Sequence, residues 1–376
     1  MKRGVLPDWR IKKLIEQGVI IGADPDLVNP SSLDLRIAAE QWKLLGSFLP
    51  LPGQGVRDAL ASRNIVDDSS TRNRFYVEHL QQYAMGLVES LNLPESISAK
   101  VFNKSGRGRI GVSLRCMTDG MPQFDIIRGG YKGEIFAEVS ATAFPIVVDA
   151  GKTAIPQIRF YEGEPQPLSG SELELELRGN PILTDDKGKP AYDEQERHNM
   201  ARTGKLAFRA DIPPRGLMAY LGREDKRTLD LAKKGYYIPE RFFREEFGGE
   251  EGGGILVLHP SEFALVKSRE HVRLPRYLAG EIDEYAPQLG DMRCHYAGLI
   301  NASHGYDPEG KNVPSHIVFE IRARDTPLII QDGQKLATFQ VYRMLEEPEE
   351  GYMEKRSTDF KDLRSILPDL FKKNGE

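Results

Sequence analysis

The stretch Ala99–Thr118, AKVFNKSGRGRIGVSLRCMT, carries Lys100, Lys104, Arg107, Arg109 and Arg115 without one carboxylate, in a chain whose formal net charge is −5. Gly106, Gly108 and Gly111 let backbone N–H groups approach an anion, while the Lys and Arg side chains neutralise it. A phosphate-bearing small molecule suits this chemistry; a solvated basic turn has the same composition. Two carboxylates offer different chemistry. Glu138 lies in GEIFAEVSATAFPIVVDAGK and Glu320 in SHIVFEIRARDTPLIIQDGQK. A glutamate within an alternating strand commonly faces solvent. On a buried strand, its pKa rises and it can take and return a proton near neutrality.

The elements around these residues occur twice. YAMGLVESLNLP, Tyr83–Pro94, and FALVKSREHVRLP, Phe263–Pro275, share an aromatic-Ala opening, a Glu and a closing Leu-Pro. Downstream, Glu138, Pro145 and Gly151 match Glu320, Pro327 and Gly333 at one common spacing, which points to duplication. IFAEVSA and IVFEIRA alternate and are rich in β-branched and aromatic residues, so each predicts a strand. Short strands between frequent turns predict a mainly β chain with an antiparallel barrel or sandwich per copy. Helices are few. Asp8 can cap one in which Ile11, Leu14 and Ile15 share a face, and Phe360, Leu363 and Leu367 predict another. The polar, Pro- and Gly-rich stretch between the copies reads as a linker and excursion. The expected division is 1–165 for copy one, 166–199 for the linker, 200–345 for copy two and 346–376 for a charged tail.

Composition narrows the function. With 376 residues, 40% hydrophobic and 28% charged, the chain has the makeup of a soluble globular protein of about two domains. No apolar run approaches a membrane span and the N-terminus lacks a signal-peptide core, so a cytoplasmic protein is expected. Cys116 and Cys294 are far apart and read as structural thiols. There is no HExxH and no CxxC, so no metal site is expected. The acidic total argues against a nucleic-acid partner.

Several segments together resemble the deoxycytidine triphosphate deaminase and deoxyuridine triphosphatase superfamily. LPDWRIKKLIEQGVI followed by NPSSLDLRI resembles the deaminases' N-terminal helix and next strand. KSGRGRIG, Lys104–Gly111, resembles their RSSLARLG loop, placing Ser105 and Arg109 on its functional Ser and Arg. IIRGGYKGEIFAEV resembles the third motif leading to the catalytic Glu, which falls on Glu138. In the second copy, HPSEFALVKSREHVRLP, SHGYDP and HIVFEIRARD resemble deaminase segments that put His304 and Asp307 near base and sugar and Glu320 on the catalytic Glu. The resemblance implies two tandem dUTPase-like distorted β-barrels, jelly-roll-like in form, with active sites between barrels. Copy one has Arg128 where the motif has Asp, and copy two has DEYAPQLGD, Asp283–Asp291, where the basic loop belongs. Each copy thus keeps half a site, and a composite site is expected.

What the resemblance implies is hydrolytic deamination of dCTP to dUTP and ammonia, with Glu320 or Glu138 as general base and acid. Ser105 and Arg109 would position water and stabilise charge, and Lys104, Gly106, Arg107, His304 and Asp307 would bind substrate. Magnesium would accompany the triphosphate. Zinc is not expected, because the H-x-E plus P-C-x-x-C signature of the zinc deaminases is absent. A deoxynucleoside triphosphate is the expected partner, and a homo-oligomer the expected assembly. A dUTP diphosphatase, a bifunctional enzyme and a non-catalytic nucleotide sensor are the alternatives.

Overall fold

A computed structural model describes residues 3–225, 227–249, 254–283, 292–293, 297–307, 309–313, 315–352 and 366–372. Two β-rich units follow one another in the chain. In the first, strands Ser32–Leu44, Gln82–Asn92, Lys132–Ala141 and Val112–Met117 pair in that order, and Ala154–Glu162 joins Ser32–Leu44 to Ile97–Asn103. In the second, Phe263–Val272 pairs with His316–Ala323, and Lys335–Arg343 pairs with Leu278–Ile282. These pairings are antiparallel, as the short turn-linked strand patterns predict. Among the described residues no helix is long and apolar enough to cross a membrane.

The Glu shared by the repeated segments has one structural job in both units. Glu89 accepts the Arg36 backbone N–H at 2.8 Å and its Nε at 2.8 Å. Glu270 accepts the Arg209 backbone N–H at 2.8 Å and its Nη1 at 3.1 Å. Burial pushes both carboxyls up, and the arginines oppose that shift.

The N-terminal helix forms over Asp8–Glu16 as the spacing predicts, burying Ile11 and Leu14, but Pro7 takes the cap position and Asp8 is the first helical residue, its carboxylate accepting the backbone N–H groups of Glu349 and Glu350 instead. The stretch read as linker and excursion contains folded structure. Gly170–Gly179 is a helix, and another, Glu194–Thr203, begins in a capping box made by Asp193 and Glu196. Leu173, Leu177 and Met200 on these helices pack into the core of the second unit, so a polar average concealed apolar stripes at helical spacing. The described end of the expected charged tail also returns to the body: Leu370 and Phe371 are buried beside Phe242 and Phe243. Phe360 and Leu363 lie outside the described residues.

The units share a core and a polar seam. Val318, Leu265, Phe263 and Phe243 of the second unit belong to the same apolar cluster as Ile110, Val112 and Phe144 of the first. At the seam Arg159, fully buried, donates from Nη1 to the Gly280 carbonyl at 2.9 Å and to Glu281 at 3.3 Å. Its Nη2 donates to Ser31 Oγ at 3.1 Å and to the Ile300 carbonyl at 2.9 Å. Ser31 Oγ then donates to Asn301 Oδ1 at 2.8 Å.

Removing one partner of a buried charge pair strands the other. Arg159→Leu is therefore expected to lower unfolding stability in urea by about 3–5 kcal/mol. Replacing Arg178, whose pair with Glu174 lies along an exposed helix face, should leave the midpoint nearly unchanged.

Candidate active site

Ser105–Gly108 make one helical turn, with Gly108 N bonded to the Lys104 carbonyl at 3.0 Å and Arg109 N to the Ser105 carbonyl at 3.0 Å. Gly111 ends the loop at φ +73°, where a Cβ would stand 2.3 Å from the Ala143 Cβ. Glycine is required there for both conformation and space. The turn thus leads directly into strand Val112–Met117 and holds its cations at the edge of the first unit.

The five cations of the basic stretch are not equivalent. Lys100 reaches Glu281 across the seam at 3.4 Å, and Arg115 pairs with Asp125 at 2.7 Å. Lys104 pairs with Asp34. Arg107 and Arg109 face a cavity of about 320 Å³ together with Lys104, Ser105 and Gly106. That volume lies in the range of small-ligand sites. Burial pulls the Arg107 pKa down, and the carboxylates of Asp369 and Asp34 oppose it.

The opposite walls come from the second unit and the end of the chain. Ile300, Asn301, His304, His316 and Val318 line the cavity, with Tyr352 and residues Leu367–Asp369 at its margin. Asn301 is fixed by Ser31 and Ser32 of the first unit. His304 Nε2 lies 2.7 Å from Ser315 Oγ, and its ring is 5.4 Å from that of Tyr352. Gly305, at φ +80°, lets this turn pass the Val272 carbonyl, which a Cβ would approach to 2.2 Å.

Six of the nine site residues expected from sequence therefore meet in one cavity: Lys104, Ser105, Gly106, Arg107, Arg109 and His304. Glu320 is buried in the strand whose residues His316, Ile317 and Val318 line the cavity, and is not itself among the lining residues. Phe319 and Ile321 point into the second unit's own core, whereas Val318 packs into the cluster shared with the first unit. By strand alternation His316, Val318 and Glu320 share the face turned to the first unit.

Glu138 occupies the equivalent place on its strand but has a different cover. Val139 and Ala141 enter the first unit's core, while Phe136 packs outward against Leu44, Val56 and Leu60. Glu138 accepts from Ser47 Oγ at 2.7 Å and from the Phe48 backbone N–H at 3.2 Å. It is not among the cavity walls. Asp307 is also absent from them: its carboxylate accepts the Lys311 backbone N–H at 2.6 Å and closes a turn. In copy two the replacement loop beyond Asp283 and Cys294 lie outside the described residues, whereas Cys116 is buried in the first unit. Among the described residues no three His, Cys, Asp or Glu side chains are grouped to hold a metal ion.

Asn301, His316 and Lys234 were not singled out by sequence. The alternation of HIVFE places His316 on the face of Glu320 and was a readable signal; the other two depend on distant contacts.

A basic loop of one β-unit thus faces, across one cavity, the strand of the second unit that carries Glu320. The model of the 2'-deoxycytidine 5'-triphosphate deaminase N-terminal domain matches residues 2–164, and that of the C-terminal domain matches residues 184–367. A dCTP deaminase, dUMP-forming, of Methanoregula boonei is 30% identical over 166 residues, covering 43% of this chain and 83% of that protein. Its namesake from Methanospirillum hungatei is 29% identical over 165 residues, covering 43% of this chain and 82% of that protein. The crystal structure of 2'-deoxycytidine 5'-triphosphate deaminase from Agrobacterium tumefaciens is 30% identical, with a TM-score of 0.82, covering 94% of this chain and 98% of that one. The chain belongs to the dCTP deaminase family.

Burial raises the Glu138 pKa, opposed by Ser47, the Phe48 amide and Arg115. A raised folded-state pKa contributes stability below the unfolded value and loses it as pH rises through the folded value. Glu138→Gln lacks this term. Its stability relative to the native protein should therefore increase as pH rises from about 4 to 8, measured by thermal unfolding across that range.

Proposed function

We propose that the protein deaminates dCTP hydrolytically at the cavity shared by its two β-units. The observation that carries this reading is the meeting of Ser105, Arg107 and Arg109 with Asn301, His304 and the Glu320 strand inside one chain. Water adds to cytosine C4 as Glu320 takes its proton. Glu320 passes that proton to the ring nitrogen, then takes the second proton from the new C4 hydroxyl and gives it to the amino nitrogen, so that ammonia departs as the carbonyl forms. Ser105 and Arg109 hold the water and the developing charge, roles suited to fixed donors in a desolvated site. Lys104 and Arg107 receive the phosphates, with magnesium entering as part of the nucleotide complex. The missing zinc-deaminase signature supports a carboxylate mechanism.

The product is dUTP if reaction stops there. The dUMP-forming description of the curated relatives favours a second reading, in which the same cavity also hydrolyses the triphosphate. Incubating the purified protein with dCTP and magnesium while measuring ammonia and pyrophosphate separates these outcomes. Ammonia alone identifies a deaminase, both products a bifunctional enzyme, and pyrophosphate alone overturns deamination. Binding without either product identifies a sensor.

Glu320→Gln is expected to nearly abolish ammonia release, since an amide cannot carry the proton, while Glu138→Gln keeps substantial activity. The reverse ranking would assign the chemistry to the first unit. Arg109→Ala should reduce turnover roughly 10- to 150-fold, the range of one charge-assisted contact, and more than Arg115→Ala. Because the cavity lies within one chain, mixed Ser105→Ala and Glu320→Gln proteins should not recover activity; recovery would place the working site between chains.

A further inference from the structure

The basic end of the cavity holds an anion of the protein's own. Backbone bonds tie residues 369–372 to the second unit's turn at 235–237. Gly235 N–H donates to the Asp369 carbonyl at 2.8 Å, those of Tyr236 and Tyr237 to the Leu370 carbonyl at 3.0 and 3.1 Å, and Lys372 N–H to the Tyr237 carbonyl at 2.8 Å. With Leu370 and Phe371 buried as well, the backbone at Asp369 is fixed while its side chain stays partly exposed. That side chain stands at the basic turn. Asp369 Oδ1 lies 4.0 Å from the place a Cβ on Gly106 would take, and Oδ2 pairs with Lys234 Nζ at 3.2 Å. Burial lowers the Arg107 pKa, and Asp369 is the first of the two carboxylates that oppose it; the other, Asp34, is paired with Lys104. Gly106, Arg107, Lys234 and Asp369 all line the one cavity.

The Lys234 side chain is 72% exposed, so it stands at the mouth, whereas Glu320 is buried. A nucleotide held with its base in the buried part presents its phosphates in order toward solvent, the terminal one last. An anion arriving there meets a like charge on Asp369 and an opposite one on Lys234. An exposed ion pair contributes little to stability, so this one exchanges readily for a bond to a multiply charged phosphate. A divalent cation at Asp369 would instead face Lys234 and Arg107, and among the described residues no three metal-binding side chains gather.

We propose that Asp369 competes with the nucleotide's terminal phosphate for Lys234, and that Lys234, passing from the carboxylate to that phosphate, makes the site select triphosphates over nucleotides with fewer phosphates. This rests on the reading of the cavity as a dCTP site. It adds to the first unit's basic loop a phosphate-counting pair held by the second unit and the end of the chain.

The test is calorimetry of dCTP, dCDP and dCMP, with magnesium, in the native protein, Asp369→Asn and Lys234→Met. Asp369→Asn removes the charge and keeps the shape and the backbone bonds. It should tighten dCTP about 5-fold or more, the repulsion of two unit charges 4 Å apart in water expressed as an equilibrium ratio, and leave dCMP nearly unchanged. Lys234→Met should weaken dCTP about 10-fold or more, the scale of a charge-assisted bond, with dCDP affected less and dCMP least. Inorganic tripolyphosphate, which has no base, should follow dCTP in both variants. Thermal midpoints should stay near the native value, since both side chains are partly exposed. A ranking of the three nucleotides that neither variant changes overturns the proposal, and so does equal weakening of all three in Lys234→Met. Weaker dCTP binding by Asp369→Asn that worsens at low magnesium makes the carboxylate a metal-ion ligand and also overturns it. Native protein that neither binds nor deaminates dCTP sinks the reading of the cavity itself, whereas dCTP turnover with phosphate preference indifferent to both variants sinks only this pair's role.

Discussion

The burial of Arg159 at the seam constrains everything built on it. A guanidinium without water must have its N–H groups matched, and the matching acceptors come from both units: Ser31 on one side, Gly280, Glu281 and Ile300 on the other. Sliding one unit against the other would expose these bonds as unmet needs in a dry environment. The same contacts orient Ile300 and Asn301, which are cavity walls. The joint that holds the units together also sets the opening between the basic loop and the strand carrying Glu320.

Related strands in the two units diverge through what covers them. In the first, the outward face beside Glu138 is closed by the segment containing Ser47, Phe48, Val56 and Leu60. In the second, the face shared by His316, Val318 and Glu320 is turned to the first unit, and part of it opens on the cavity. A carboxylate already satisfied by a hydroxyl and a backbone amide has fewer acceptor positions for water.

Tertiary structure also sorts the cations. Lys100 serves the seam and Arg115 steadies Asp125, while Arg107 and Arg109 face the cavity. A local run of positive charge therefore resolves into structural and cavity-facing members over short distances. The end of the chain takes part as well: Leu370 and Phe371 anchor it among aromatic side chains, which brings Asp369 beside Lys234 at 3.2 Å.

The sequence alone determined that the chain is mainly β, that related segments recur, and that the loop Lys104–Gly111 and the glutamates 138 and 320 are the groups suited to chemistry. Those features are local: alternation makes strands, glycines make tight turns, and residue type decides what can bind an anion or carry a proton. Only the tertiary structure decided that Glu138 is covered within its own unit, that Asp307 closes a turn with Lys311, and that 166–199 contributes helices to a core. It also brought His316 and Asn301 into the site. Burial, facing and the pairing of charges arise from contacts between residues far apart in the chain, and a linear pattern carries no record of which distant surface will cover a given face.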